Sequence, residues 1–163
     1  MSEVGQARLS KSQIWKAPSE GGEPVQITQK GGLSPLESPD GKFLYYSSHS
    51  RLWKVPVGGG PETQALESLN HPSVFAVVHD GIYFIPKPRL PGDASIQFLR
   101  FADGRIQRIA SIEKPPFVGL SVSRDGRFLL YTQVDQEGSD LMLVENLSFG
   151  SSNRISKLLY LVE

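Results

Sequence analysis

Apolar and aromatic residues along this chain come in short runs, each broken within a few positions by Gly, Pro, Asp or Asn. Where a run is long enough to show a period, the period is two. Val25-Gln26-Ile27-Thr28 alternates apolar and polar, the pattern of a half-buried strand. Read this way, the chain predicts strands over 13–18, 25–28, 33–37, 43–47, 52–57, 63–66, 74–78, 82–86, 96–101, 106–110, 118–122, 128–132, 141–145 and 157–162. No stretch carries apolar residues at i, i+3, i+4 and i+7 over three turns with caps, so no long helix is expected. Residues 153–161 are the one place where a short helix competes with a strand. Residues 1–12 have no usable periodicity and read as a loose lead-in to blades over 13–146, with 147–163 a terminal loop and edge strand.

Two phrases repeat in the same order. Ser38-Pro39-Asp40-Gly41 followed by Phe43-Leu44-Tyr45-Tyr46 is a tight turn feeding an aromatic strand. Pro presets φ, Asp bonds its own backbone and Gly accepts positive φ. The phrase returns in degraded form as His79-Asp80-Gly81-Ile82-Tyr83-Phe84, and better kept as Ser123-Arg124-Asp125-Gly126 before Phe128-Leu129-Leu130-Tyr131. Its aspartates are 40 and then 45 residues apart. The second phrase, Gln13-Ile14-Trp15-Lys16-Ala17-Pro18, recurs as Arg51-Leu52-Trp53-Lys54-Val55-Pro56, a spacing of 38. Each copy runs into a glycine pair or triplet, Gly21-Gly22 and Gly58-Gly59-Gly60. Units of about 40–45 residues built from short strands have the period of a β-propeller blade. The complete units run over 33–66 and 74–110, and a third opens near 118. Residues 87–93, rich in Pro and Gly, form a surface insert, and Asp103-Gly104 marks a hairpin turn.

These phrases resemble the TolB-type, WD-like propeller repeat over residues 13–146. Ser38 to Gly41 matches that family's Ser-Pro-Asp-Gly turn fully, Ser123 to Gly126 has Arg124 in place of Pro, and Asp80-Gly81 keeps only the core. The resemblance implies an all-β fold of β-propeller blades, each of four antiparallel strands. It is specific to fold and not to activity, because such blades serve periplasmic scaffolds, sensor domains, regulator fusions and peptidase accessory domains. Asp140 to Asn146 looks like the end of large bacterial proteins that carry such propellers behind a kinase or a winged-helix DNA-binding domain.

Composition narrows the functional classes. Lys and Arg total 17, as do Asp and Glu, so the chain lacks the basic footprint of a nucleic-acid or anionic-membrane binder. No apolar run reaches the length of a membrane-spanning helix, and the N-terminus shows no signal-peptide core. A cytoplasmic location is expected from that, with a periplasmic one implied by the resemblance. There is no cysteine, which removes disulfides, thiolate metal sites and cysteine nucleophiles.

The candidate chemistry reads as structure. His49, His71 and His79 lack metal-site spacing and fall near turns. Gly119-Leu120-Ser121-Val122-Ser123 begins like a nucleophile elbow but has Ser123 where the last glycine belongs, so Ser121 reads as an inner-strand residue. Gly58-Gly59-Gly60 lacks the Gly-Lys-Ser/Thr of a phosphate loop. Asp40, Asp80 and Asp125 read as turn caps, and Asn146-Leu147-Ser148 has the form of a glycosylation acceptor. The aromatic set Trp15, Phe43, Tyr45, Trp53, Tyr83, Phe84, Phe128 and Tyr131 is expected to fill the space between blades. No catalytic residue, cofactor or metal is assigned.

The expected function is a non-catalytic scaffold for a protein or peptide; the alternative is a regulatory propeller segment of a larger enzyme or transcriptional regulator. Fourteen strands make an incomplete propeller of about three and a half blades. Unpaired end strands invite association, so a homodimer completing a seven-bladed ring is expected.

Overall fold

The computed structural model describes residues 12–135 and, beyond them, the backbone of four short strands. The strands are β1 Trp15–Lys16, β2 Val25–Gln26, β3 Leu33–Glu37, β4 Phe43–Ser48, β5 Arg51–Pro56, β6 Thr63–Leu66, β7 Phe75–Val78, β8 Gly81–Phe84, β9 Ser95–Arg100, β10 Ile106–Ser111, β11 Pro116–Val122 and β12 Leu129–Gln133. They are followed by β13 Leu141–Val144, β14 Ser148–Phe149, β15 Asn153–Arg154 and β16 Leu158–Leu161. Among the described residues there is no helix, and 153–161 contributes two strands rather than a helical turn. Residues 1–11 and the glycosylation-like Asn146 lie outside the described residues.

The chain divides into a body ending at Gln133 and a smaller unit from Val134. The body holds four antiparallel sheets, and within each of them every strand pairs with the next in sequence. These are the hairpin β1-β2, the four-stranded β3-β4-β5-β6 and β7-β8-β9-β10, and the hairpin β11-β12. In the smaller unit β13 pairs with β16, and β14 with β15.

The repeated phrases fold into repeated hydrogen bonds. In the first turn the Ser38 hydroxyl donates to Asp40 Oδ1 at 2.6 Å and accepts from the Phe43 amide at 3.0 Å. Asp40 Oδ1 also accepts from the Lys42 amide, and Gly41 sits at φ 69°. The same set returns 85 residues on. Ser123 donates to Asp125 at 2.6 Å, Phe128 donates to Ser123 at 2.9 Å, Arg127 donates to Asp125, and Gly126 has φ 71°. Both glycines adopt the left-handed conformation that the turn chemistry requires.

The second phrase duplicates as closely. Gly21 donates to the Pro18 carbonyl and Gly59 to the Pro56 carbonyl. A side chain at the next residue, Gly22 or Gly60, would meet the ring of Pro18 or Pro56 respectively. Thus β1-β2 is the counterpart of β5-β6, the second half of a four-stranded sheet. By the 85-residue offset, β11-β12 is the counterpart of β3-β4, the first half.

The middle copy differs from the turn that its Asp-Gly suggests. The connection is the two-residue His79-Asp80 between β7 and β8, and Gly81 is already strand, opposite Arg100. Its φ is not positive; it is glycine because a Cβ there would lie 2.2 Å from the Leu99 carbonyl oxygen and 2.3 Å from the Phe98 ring. A neighbouring aromatic covering a strand glycine is a recurrent way of filling that gap.

Alternation along the strands gives the sheets two apolar faces. On β4, Tyr45 joins a core with Leu52, Leu66, Phe75, Ile82 and Leu120, between the second sheet and those that follow. Tyr46, one residue on, turns to the other face and packs with Val55 and with Ile14 before β1. Tyr45 also stacks on Phe101 with ring centroids 6.0 Å apart. Consecutive sheets therefore stack face to face. Their first strands come together, β7 lying beside both β3 and β11.

We predict that Gly81→Ala destabilises the protein by about 1–3 kcal/mol, the usual range for overpacking a close approach. Gly58→Ala, with open space around it, should stay within about 0.5 kcal/mol of the parent. Denaturant melts of the two variants check the contrast.

Candidate binding groove

Two grooves of the body lie where the first strands meet. One, of about 600 Å³, runs along the C-terminal ends of β3, β7 and β11 and the turns that follow them. Leu36, Val77 and Leu120 give it apolar walls, Ser121 opens into it, and Glu37, Asp80 and Asp125 stand with Arg124 around its rim. A second, of about 400 Å³, lies toward the start of the same strands, between Pro35, Phe75, Leu120 and Tyr131.

A backbone irregularity shapes this second groove. β3 breaks register between Leu33 and Leu36, and β11 between Pro116 and Leu120. Ser34 has φ 52° and Gly119, its counterpart 85 residues on, has φ 94°. In each case a hydroxyl of the second strand reaches back across the bulge. Ser47 donates to the Leu33 carbonyl, and Thr132 to the Val118 carbonyl. The bulge leaves a carbonyl off the ladder, and the hydroxyl satisfies it. Sequence reading missed this pair of devices. Its signal was Gly119 inside an apolar strand, where an isolated glycine marks a bulge.

The carboxylates of the repeated turns are already engaged. The Ser38 hydroxyl, then the Lys42 amide, hold the Asp40 carboxyl below its ordinary range. Ser123, then Arg127, do the same for Asp125. Both groups stay ionised and acceptor-only, which suits a turn and not proton transfer.

The remaining candidates are placed as follows. Ser121 pairs with Leu130 within β11-β12 and faces the groove as an exposed strand residue. His49 occupies a hairpin turn at φ 51°, with its Nδ1 3.0 Å from the Ser48 hydroxyl. His71 lies 3.1 Å from the Ser73 hydroxyl, and His79 is in the β7-β8 connection on the groove rim. The structure does not bring the three histidines together, and no group of three metal-ligating side chains occurs among the described residues. Gly58 to Gly60 form a turn. Of the aromatic set, Tyr45 and Phe84 are core, with Phe43, Tyr83 and Trp53 packed against it. Trp15, Phe128 and Tyr131 are exposed, contrary to the expectation of filled space. All three belong to the two half-sheets, at or beside β1 and β12.

Tyr46 is the one buried side chain among the described residues whose polar atom lacks a hydrogen-bond partner. Burial, and then the negative charge of Glu62, push its hydroxyl far above the ordinary phenol range.

A scan against protein-family models finds no match to this chain, and a search of the curated proteins finds none.

Two outcomes follow from the turns. Ser38→Ala removes a buried hydroxyl that bridges a carboxylate and an amide, and should cost about 1–2 kcal/mol. Because Asp40 and Asp125 have lowered values when folded, their stabilisation is full above the ordinary carboxylate range and is lost as pH falls through the folded values. Asp40→Asn with Asp125→Asn should flatten the acid limb of the stability profile, as read by melts against pH.

Proposed function

We propose that the chain is a non-catalytic scaffold of TolB-like propeller blades, and that the groove along β3, β7 and β11 takes an extended segment of another polypeptide. The observation that carries this reading is the groove itself. Three first strands border one apolar trough, with Glu37, Asp80 and Asp125 on its rim. Shaped apolar walls with a few polar groups suit binding, and turns held on a sheet scaffold are where recognition residues are commonly carried. Three carboxylates against one arginine on the rim favour a segment bearing lysine or arginine. The same role serves a chain acting alone or as the regulatory part of a larger enzyme.

Selection from a peptide library, followed by calorimetric titration of the selected sequences, tests the proposal. Ser121→Trp fills the groove without touching the core and should weaken binding at least tenfold while the melting temperature holds. Binding unaffected by Ser121→Trp would refute the site. Esterase or peptidase turnover abolished by Ser121→Ala would refute the non-catalytic reading.

A further inference from the structure

A further cavity, of about 290 Å³, lies between β4 and β5 on one side and the connections after β7 and β9 on the other. It adjoins the larger groove, with Pro39, Val78 and His79 as the shared wall. Strand alternation explains which side chains line it. Phe43 and Tyr45 are two residues apart on β4 and share a face. Lys54 stands opposite Tyr45 on β5. Phe101 follows β9 and is fixed by its amide, which donates to the Asp80 carbonyl at 2.9 Å. Its ring lies nearly parallel to that of Tyr45, with planes 13° apart. The cavity therefore has aromatic walls brought by two successive sheets.

Its charges are unequal. Asp40 is the one carboxylate among the lining residues. It is engaged within its own turn, accepting from the Ser38 hydroxyl and the Lys42 amide, and it lies 3.7 Å from the Lys42 ammonium. Burial, and then the Asp40 charge, raise the Tyr45 hydroxyl above the ordinary phenol range, so it stays neutral. His79 carries no negative charge in either of its forms. Lys54 makes no ion pair among the described residues. Its Nζ rests instead 5.0 Å from the centroid of the Phe43 ring. The result is a slot of aromatic faces with one positive charge left uncompensated beside them.

We propose that this cavity binds a small planar aromatic carboxylate, its ring against Phe43, Tyr45 and Phe101 and its carboxylate on the Lys54 ammonium. The volume is at the lower end of small-molecule sites, which suits a ring compound and not a polypeptide strand. Aromatic faces reward a planar ring beyond the area it buries. A charge-assisted contact to Lys54 is roughly twice as strong as a neutral hydrogen bond. A cationic ring would be repelled by Lys54, and a plain hydrocarbon would strip water from the ammonium without replacing it.

Phenylacetate is the probe, titrated into the isotope-labelled full-length protein and followed by amide chemical shifts. Phenylacetamide keeps the ring without the charge, and cyclohexylacetate keeps the charge without the aromatic face. Saturable shifts centred on Phe43, Lys54, His79 and Phe101 are expected, with phenylacetate about tenfold tighter than either comparison compound. Lys54→Met keeps an unbranched side chain over Phe43 and should weaken phenylacetate by about tenfold with the melting temperature unchanged, while Lys54→Arg should keep most of the affinity. Absence of saturable phenylacetate binding would overturn the proposal. So would shifts centred elsewhere, equal affinity for phenylacetamide or cyclohexylacetate, or binding untouched by Lys54→Met. Should Lys54→Met alter the melt, the phenylacetate to phenylacetamide ratio on the parent protein decides, and a ratio near one overturns the site. The titrations contain no peptide and read Lys54 and Phe101, which do not line the groove, so this proposal and the peptide reading fail separately.

Discussion

A sheet that is apolar on both faces must be covered on both. In this chain the constraint is set by two adjacent residues, Tyr45 and Tyr46, which strand alternation sends to opposite sides of β4 and which are both buried. One side is closed by the sheets that follow, through Phe75 and Ile82, and the other by the hairpin that precedes, through Ile14. Burying an aromatic of this size stabilises by about 1.5–3 kcal/mol, so neither face can be left to solvent cheaply. The result is a series of sheets stacked face to face. On the two half-sheets the corresponding positions are less covered, and Trp15, Phe128 and Tyr131 are exposed.

The local chemistry serves that series. Ser38 and Ser123 each tie a carboxylate to the amide at or just before the start of the second strand, which fixes the angle at which that strand returns. The bulges at Ser34 and Gly119 bend the first strands where these strands meet, and Ser47 and Thr132 satisfy the carbonyls that the bends release. Groove and turns thus come from one repeated design. The carboxylates of Asp40 and Asp125 are structural, each held within its own turn.

Much of this was legible in sequence. The strands over 63–66 and 43–47, the hairpin at Asp103-Gly104 and the left-handed glycines at 41 and 126 follow from alternation and turn chemistry, which are local. The repeat offset of Trp15 and Trp53 proved to be an offset of structure as well as of letters. What was not legible depends on distant contacts. Gly81 looks like a turn glycine, but its reason is the Phe98 ring from β9. The pairing of β13 with β16 follows from partner choice, which alternation does not encode. The exposure of Tyr131 could not be read from a phrase identical in kind to the one that buries Tyr46. The groove likewise arises only when three first strands separated by some 40 residues are brought side by side.

The central claim is that β4 is buried on both faces, by Tyr45 toward the sheets that follow and by Tyr46 toward the hairpin that precedes. Amide hydrogen exchange of the unmodified protein addresses it most directly. The account predicts that amides of β4 exchange more slowly than those of 129–132, where the counterparts of Tyr45 and Tyr46 are exposed. Exchange as fast in β4 as at 129–132 would contradict it.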